Sequence, residues 1–488
     1  MKEPPLAGWH GSFFLRDPND YFRLYPRGRM QVDFNSWPGA PTGRAQDGAV
    51  NLEPRVFLKR VRVELAGQFL TNWTFHFAAD FGGQATSNNN GKSELYAGGA
   101  GSDPTAGTAR YAPVEAVSAN AALADVFVNY SVCNCLNFMV GQYDVAFSME
   151  NQTSDNSTSF MERSLGIGSF AVPSKKDTGL MVWGELLDGR LSYGVEMLTG
   201  DGQNRPQVDS MFDFSGRVFT RPLFGSDSPL AKLQIGVSGR TGQRDPKAVG
   251  YDYPAIQTNQ GYQLWQPTYK DSQKRTMHVI PSGSQNVIGG ELRLPISIFD
   301  LRGEAYYVQN GTREALDGYQ LQANEEGTPY SERFGAMSGV GWYVHLSAWP
   351  LGDAFVNGDP GFLRPTSVNL TKPQDKPKRG LEISARVSGI NAEYVGNSRQ
   401  GGVDSLTPTK ETGSAITVYQ YGLGLTYWYT RNIRASLNYD IYHTPDSGAP
   451  EEGSPYKNRA VVPANTGINA DKSEHLLHEL GARVGVWF

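Results

Sequence analysis

The chain has 488 residues, a net charge of −5 and two cysteines. Length alone suggests about three domains, but no Pro- or Ser-rich linker divides the chain. The balanced charge gives no indication of nucleic-acid binding, and two cysteines are too few for a disulfide framework or a cysteine-based zinc site. Mean hydropathy is −0.44, and no apolar run approaches the ~18 residues that a spanning helix needs. Spanning β-strands remain compatible with this composition, because each exposes only half of its residues to lipid.

Segments with a two-residue hydrophobic period recur from end to end and predict β-strands. In the clearest segment, Trp73, Phe75 and Phe77 lie on one face, whereas Thr74 and His76 lie on the other. An even number of strands is typical of closed bacterial barrels. The sixteen predicted strands are 21–35, 55–70, 72–82, 122–132, 136–147, 178–186, 190–199, 212–221, 231–241, 286–294, 299–310, 335–347, 379–389, 415–428, 432–443 and 474–488.

The connections between these strands alternate in length. Short turns, such as 133–135 and 429–431, alternate with long loops, such as 83–121 and 148–177. Outer-membrane barrels show this pattern, with short periplasmic turns and long extracellular loops. One connection, 348–378, is long although it falls on the short side. Either a strand near it is miscounted or it is an insertion.

The two ends of the chain complete the fold prediction. The last segment alternates up to a terminal Phe488, and a terminal aromatic residue resembles the signal by which bacterial outer-membrane barrels are recognised for insertion. The chain starts without a signal peptide, so we interpret it as the mature form. We therefore predict an N-terminal segment at 1–20 and one all-β, transmembrane antiparallel barrel at 21–488, located in the bacterial outer membrane.

Six groups of segments carry a resemblance to a known family: Phe57–Gly67 with Trp73–Gly82, Val126–Tyr130, Val140–Tyr143 with Ala146–Glu150, Phe160–Leu165, Gly380–Arg386, and Gly422–Trp428 with Arg434–Tyr439. They resemble the phosphate-selective porin O/P family, in the order in which that family shows them. The resemblance spans residues 20–488 apart from the long loops, and it implies a trimer of 16-stranded barrels with an anion-conducting pore. The sequence departs from the family's pattern at Asp144, where the family usually has a Lys, and the pore-loop stretch 151–159 carries Asp155 but no Lys or Arg.

Charged side chains on the lumen face would set the ion selectivity of such a pore. Arginine dominates the basic set, and its permanently charged, planar guanidinium suits carboxylate or phosphate. These residues are predicted to line the pore as an anion-binding ladder. The alternative is structural pairing with carboxylates on the same face, as for Arg62 with Glu64, and the sequence leaves both readings open. The predicted pore-lining residues are Arg23, Arg27, Arg29, Arg60, Arg62, Arg217, Arg240, Arg302 and Arg386.

Loop 148–177 follows the fifth predicted strand and is the best candidate for a constriction. Folded into the barrel, it would narrow the pore at Glu162, Arg163, Lys175 and Lys176. A solvated surface loop is the alternative. Cys133 and Cys135 share a tight turn, where free thiols and a local disulfide are both compatible with the spacing.

The sequence therefore predicts a channel for passive diffusion of small solutes, preferring phosphate or other anions. Its expected partners are small anionic solutes, outer-membrane lipid and two further copies of the chain, with no nucleic acid. No catalytic residues, metal or cofactor are predicted, because neither a phosphate-binding Gly-rich loop nor a nucleophile elbow is present. A non-conducting scaffold barrel that binds a partner is the alternative. A lipase is a third class, but no lipid-facing strand shows a paired Ser and His.

Overall fold

A computed structural model describes residues 6–39, 54–82, 122–167, 171–172, 174–245, 253–265, 268–270, 276–316, 334–352, 379–400, 403–445 and 476–488. The elements are β1 Ala7–Trp9, β2 Phe13–Arg16, β3 Phe22–Ser36, β4 Arg55–Phe69, β5 Trp73–Asp80, β6 Ala122–Cys133, β7 Leu136–Asp144, α1 Met149–Gln152, β8 Lys176–Leu186, β9 Leu191–Leu198, β10 Asp213–Thr220, β11 Gln234–Arg244, β12 Ile256–Gln257, β13 Gln263–Trp265, β14 Thr268–Lys270, β15 Thr276–Ile296, β16 Phe299–Leu316, β17 Phe334–Leu351, β18 Gly380–Gln400, β19 Val403–Thr430, β20 Ile433–His443 and β21 Leu476–Trp487. Within these ranges, no helix is long and apolar enough to cross a membrane.

The described strands form a closed antiparallel barrel of sixteen strands, β3–β11 and β15–β21. Each strand pairs with its neighbour in the chain, and β21 closes the ring by pairing with β3, where Trp487 lies opposite Arg29. Phe488 extends this seam through two backbone hydrogen bonds with Gly28. The predicted all-β barrel and its sixteen strands are confirmed, within a few residues at most strand ends.

Side-chain alternation divides every barrel strand between an apolar exterior and a polar lumen. On β20 and β21, Leu437 and Val484 are exposed on the outside, whereas Arg434 and Arg483 are buried inside. The alternation that identified the strands in the sequence therefore also separates the lipid-facing side chains from those that reach the lumen.

For the long connection on the short-turn side, the structure favours an insertion, because the described strands on either side of it match the predicted count of sixteen. β17 ends at Leu351 and β18 begins at Gly380, and Leu351 pairs with Leu381 at the end of the barrel that carries the short turns. Residues 353–378 between them lie outside the described residues.

The N-terminal segment forms a hairpin that prolongs the barrel sheet. β1 pairs with β2, and β2 pairs with β3 at Leu15–Leu24 and Arg16–Arg23. It covers the part of the β3 edge that β21 does not reach, because the β21 pairing starts only at Arg29. At the same end of the barrel, the turn between β6 and β7 contains a disulfide between Cys133 and Cys135.

Replacing Gly141 in β7 should destabilise the barrel. Its φ is 132°, and an added Cβ would lie 2.1 Å from the backbone oxygen of Val126. We expect Gly141→Val to lower the free energy of unfolding by about 1–3 kcal/mol, measured by urea unfolding in detergent micelles. Gly290→Val is the control, since an added Cβ there has 4.0 Å of clearance. Equal unfolding midpoints for the two variants would contradict this account.

Candidate functional site in the barrel lumen

The connection 145–175 between β7 and β8, here termed the inner loop, lies inside the barrel in its described part. Its start is bound by the wall: the backbone N–H groups of Met149 and Glu150 donate to the carboxylate of Glu304 on β16, at 3.0 and 2.7 Å. Ser148 caps α1 by accepting from the N–H of Asn151. The predicted loop 148–177 therefore enters the lumen, but Lys176, predicted as a loop residue, is instead the first residue of β8.

Wall arginines hold the middle of the inner loop through its backbone carbonyl groups. Arg434 on β20 donates to the carbonyl oxygens of Asp155 and Thr158, both at 2.7 Å. A buried carbonyl without a partner is costly, so these donors stabilise a segment that has no sheet to pair with. Two further wall arginines donate in the same way, Arg483 to Met161 and Arg386 to Glu162.

A different face of the inner loop presents Asp155 to β3 and β4. The carboxylate is buried and lies 2.8 Å from Nη1 of Arg163 and 3.2 Å from Nζ of Lys175. Its other oxygen lies 3.5 Å from both Arg60 and Arg62, and 3.7 Å from Arg29. Four of the predicted pore-lining and constriction arginines are thus brought together at one loop carboxylate.

A β-bulge adds a cation that strict alternation does not predict. Gln31 pairs with Arg60, but the next residue, Val32, pairs with Leu58. The skipped Lys59 reaches the lumen, where its Nζ lies 3.4 Å from Glu162, and Arg60 lies 3.7 Å from the same carboxylate. Only the cross-strand register reveals this residue.

The lumen face of β4–β8, here termed the open wall, carries partly accessible charges. The side chain of Lys59 is 27% exposed and that of Lys175, which stands against this wall, is 22% exposed. Carboxylates share the wall: Lys176 contacts Asp125 and Asp144, both at 2.5 Å. The open wall therefore carries both cations and carboxylates that are partly exposed to solvent.

Other predicted pore-lining arginines are buried in ion pairs with carboxylates of the barrel wall. Arg217 makes a bidentate pair with Glu291, at 2.7 and 2.8 Å. Arg240 pairs with Asp213 through Nε at 2.7 Å, and Arg302 pairs with Asp300 at 2.6 Å. These carboxylates offset the arginine charge.

The remaining predicted arginines occupy three different settings. Arg386 is buried, with Phe160 of the inner loop stacked against its guanidinium at 4.2 Å. Arg23 pairs with Asp20 near the short-turn end, at 3.0 Å. Arg27 is partly exposed on β3.

This environment shifts the pKa values of charged side chains in the inner loop. The surrounding cations outweigh burial and hold the pKa of Asp155 well below its usual range, and Lys59, Arg60 and Arg483 do the same for Glu162. Burial, together with the nearby Arg163, lowers the pKa of Lys175 to about 8. Lys175 is thus a loop charge that titrates close to neutral pH.

A second segment, 253–265, also enters the lumen from the long loop between β11 and β15. The backbone N–H of Gln260 donates to Glu479 at 3.3 Å, and Thr258 donates to the same carboxylate. Asn259 donates to Asp440 at 3.2 Å. Sequence reasoning placed this segment only in a long loop, and no local pattern marks it as inward-facing.

The chain is similar to known outer-membrane proteins in sequence and in fold. The model of the family "Phosphate-selective porin O and P" matches residues 26–462, whereas no curated protein matches the chain significantly. Similar solved structures include in-vitro folded OmpT of Vibrio cholerae in its trimer form, with 10% identity, a TM-score of 0.47 and coverage of 96% of this chain and 100% of that one. The outer membrane channel DcaP of Acinetobacter baumannii has 11% identity, a TM-score of 0.42 and coverage of 96% and 97%. Salmonella typhi OmpF with daunomycin has 9% identity, a TM-score of 0.43 and coverage of 96% and 99%.

Removing Arg434 should release the inner loop. Arg434→Met deletes two charge-assisted hydrogen bonds to loop carbonyls, each contributing about 1.5–3 kcal/mol, so we expect a larger and noisier single-channel conductance in planar bilayers. Arg302→Met is the matched control, because Arg302 bonds to Asp300 of its own strand and Asp300 keeps Arg293 as a partner. Equal conductance changes in the two variants would show that the carbonyl contacts do not hold the loop.

Proposed function

Because this chain belongs to the phosphate-selective porin O and P family, we propose that it is an anion-preferring channel for small solutes. Family membership makes it a channel of the bacterial outer membrane rather than an enzyme. The proposal adds a preference for anions, with phosphate or small carboxylates as solutes, and assembly as a homotrimer, as the family resemblance implies.

The proposal rests on one observation, the accessible cations at the open wall. Lys59, Arg60 and Arg62 lie close together on β4. Arg60 and Arg62 face Lys175 across Asp155, and Lys59 lies beside Glu162. Arg62 also pairs with Asp80, at 2.6 Å. In a low-dielectric lumen, fixed cations at a narrow point raise the local anion concentration. Buried pairs such as Arg217 with Glu291 contribute little to this field, because the two opposite charges lie 2.7 Å apart and both side chains are only 1% exposed.

A non-conducting scaffold barrel remains the competing function, and the two inward segments favour it. The inner loop and 253–265 both occupy lumen space. A current through the folded, purified protein separates the two functions, since a plugged barrel passes none.

Neutralising the open wall should weaken anion preference. Lys59→Gln with Arg60→Gln removes two partly accessible cations, and we expect the chloride-to-potassium permeability ratio to fall roughly fivefold, the effect of about 1 kcal/mol. The reversal potential in a KCl gradient measures this ratio. The control is Arg217→Met with Glu291→Met, which removes a buried pair of opposite charges and should leave the ratio unchanged. A ratio that responds equally to both double variants would contradict the proposal.

Anion preference should also fall as pH rises through about 8. Lys175 has a pKa of about 8, so it is charged below that pH and neutral above it. The pKa of the facing Asp155 is held well below its usual range by the surrounding cations, and Asp155 in turn raises the pKa of Arg163. Measured between about pH 7 and 9, the permeability ratio should decline in the wild type. Lys175→Arg stays charged throughout, and its ratio should not change over this interval; a parallel decline in this variant would exclude Lys175 as the titrating group.

A further inference from the structure

The turn between β6 and β7 contains the only two cysteines of the chain, joined in a disulfide. Cys133 is the last residue of β6, and Cys135 immediately precedes the first residue of β7. The bond therefore closes a loop across one intervening residue, Asn134. The sequence holds no further cysteine that could compete for either sulfur, so any exchange of this disulfide involves a thiol of another molecule.

A disulfide across so short a loop contributes little to the stability of the barrel. In the chain-entropy model, cross-linking stabilises a fold by restricting the unfolded chain, and the gain grows with the length of the closed loop. A loop this short gives roughly half the stabilisation of a loop of about 15 residues. The hairpin already holds the two cysteines near each other, because Cys133 pairs with Leu136 and Ser131 pairs with Asn137. Stability alone therefore does not account for the bond.

Hydrogen bonds that do not involve the sulfur atoms hold this turn against the neighbouring strands. The backbone N–H of Glu185 on β8 donates to the carbonyl oxygen of Asn134 at 2.9 Å. The hydroxyl group of Tyr193 on β9 donates to the carbonyl oxygen of Cys135 at 2.8 Å. Breaking the S–S bond removes neither contact, so we expect the reduced turn to keep its backbone position.

Both cysteines lie where a dissolved thiol can reach them. Cys133, Asn134 and Cys135 are all exposed, and they lie at the end of the barrel that carries the short turns. In an outer-membrane barrel this end faces the periplasm, a compartment in which disulfides form and persist. Thiol–disulfide exchange depends on access to the sulfur that is attacked, and exposed disulfides are the labile ones.

We propose that the disulfide between Cys133 and Cys135 is a thiol–disulfide exchange site for small thiols of the periplasm. The thiolate of a small molecule attacks one cysteine sulfur, the S–S bond breaks, and the other cysteine leaves as a thiolate that takes a proton from water. A second small thiolate attacks the mixed disulfide and releases the remaining cysteine, which is protonated in the same way. Two electrons thus pass to the protein, and the small thiol leaves as its own disulfide.

The test uses the full-length protein in detergent micelles, with glutathione as the small thiol. The folded protein is equilibrated in a glutathione buffer poised like a cytosolic pool, quenched with acid, alkylated and weighed by mass spectrometry. We expect at least about half of the molecules to carry two alkylated cysteines, whereas structural disulfides resist reduction by this pool. The double variant Cys133→Ser with Cys135→Ser is the blank for alkylation. A disulfide that stays oxidised in this buffer would overturn the proposal.

The single variant Cys135→Ser tests access to the remaining sulfur. It leaves Cys133 as a free thiol, which we expect to gain one glutathione from oxidised glutathione at a rate within about tenfold of that in the unfolded chain, because the residue is exposed. A much slower reaction of the folded variant would show that the turn shields this sulfur and would contradict the proposal.

The gel mobility of the reduced protein separates an exchange site from a structural cross-link. We expect the reduced protein to keep the heat-modifiable mobility of the folded barrel, because the contacts of Glu185 and Tyr193 remain. Loss of the folded band on reduction would overturn the proposal, since the disulfide would then hold the fold. Each of these readouts is independent of ion selectivity, so failure of the anion-preferring function would leave them unchanged.

Discussion

The lumen is organised by the need to satisfy the backbone of a loop that has no strand partner. Inside a barrel, a buried carbonyl group must find a donor, and wall arginines provide it: Arg386, Arg434 and Arg483 all donate to carbonyl oxygens of the inner loop. Arginine suits this role because several N–H groups project from one planar head. The described part of the loop is consequently held against β16 and β18–β21. The open wall of β4–β8 stays partly accessible to solvent.

This arrangement gives the lumen charges two different roles. Arginines such as Arg217, which is 2% exposed, are paired and stabilise the wall, whereas Lys59 and Arg60 border the accessible space. A simple count of basic residues on the lumen face does not distinguish the buried, paired arginines from the cations that border the accessible space. Selectivity depends on exposure and local pairing, so few of the charges are expected to control permeation even though many line the barrel.

The sequence predicted the strands well because a barrel strand carries its own signal, the alternation between lipid and lumen. It could not predict what depends on register. Lys59 was missed because a bulge moves it to the lumen face, and the partner of Arg240, Asp213, lies on a different strand. The inward path of 253–265 depends on Glu479, more than two hundred residues away, and no local pattern encodes such a contact.

Cysteine accessibility tests most directly whether the inner loop covers one wall and leaves the other open. The two native cysteines are joined in a disulfide. A change in current after thiol modification therefore reports on the introduced cysteine. We predict that a negatively charged methanethiosulfonate reagent rapidly reduces the current of Ser154→Cys, which lies exposed on the loop, and leaves Ser436→Cys, buried behind it, unaffected. Rapid modification of Ser436→Cys would show that the loop does not pack against that wall and would contradict the account.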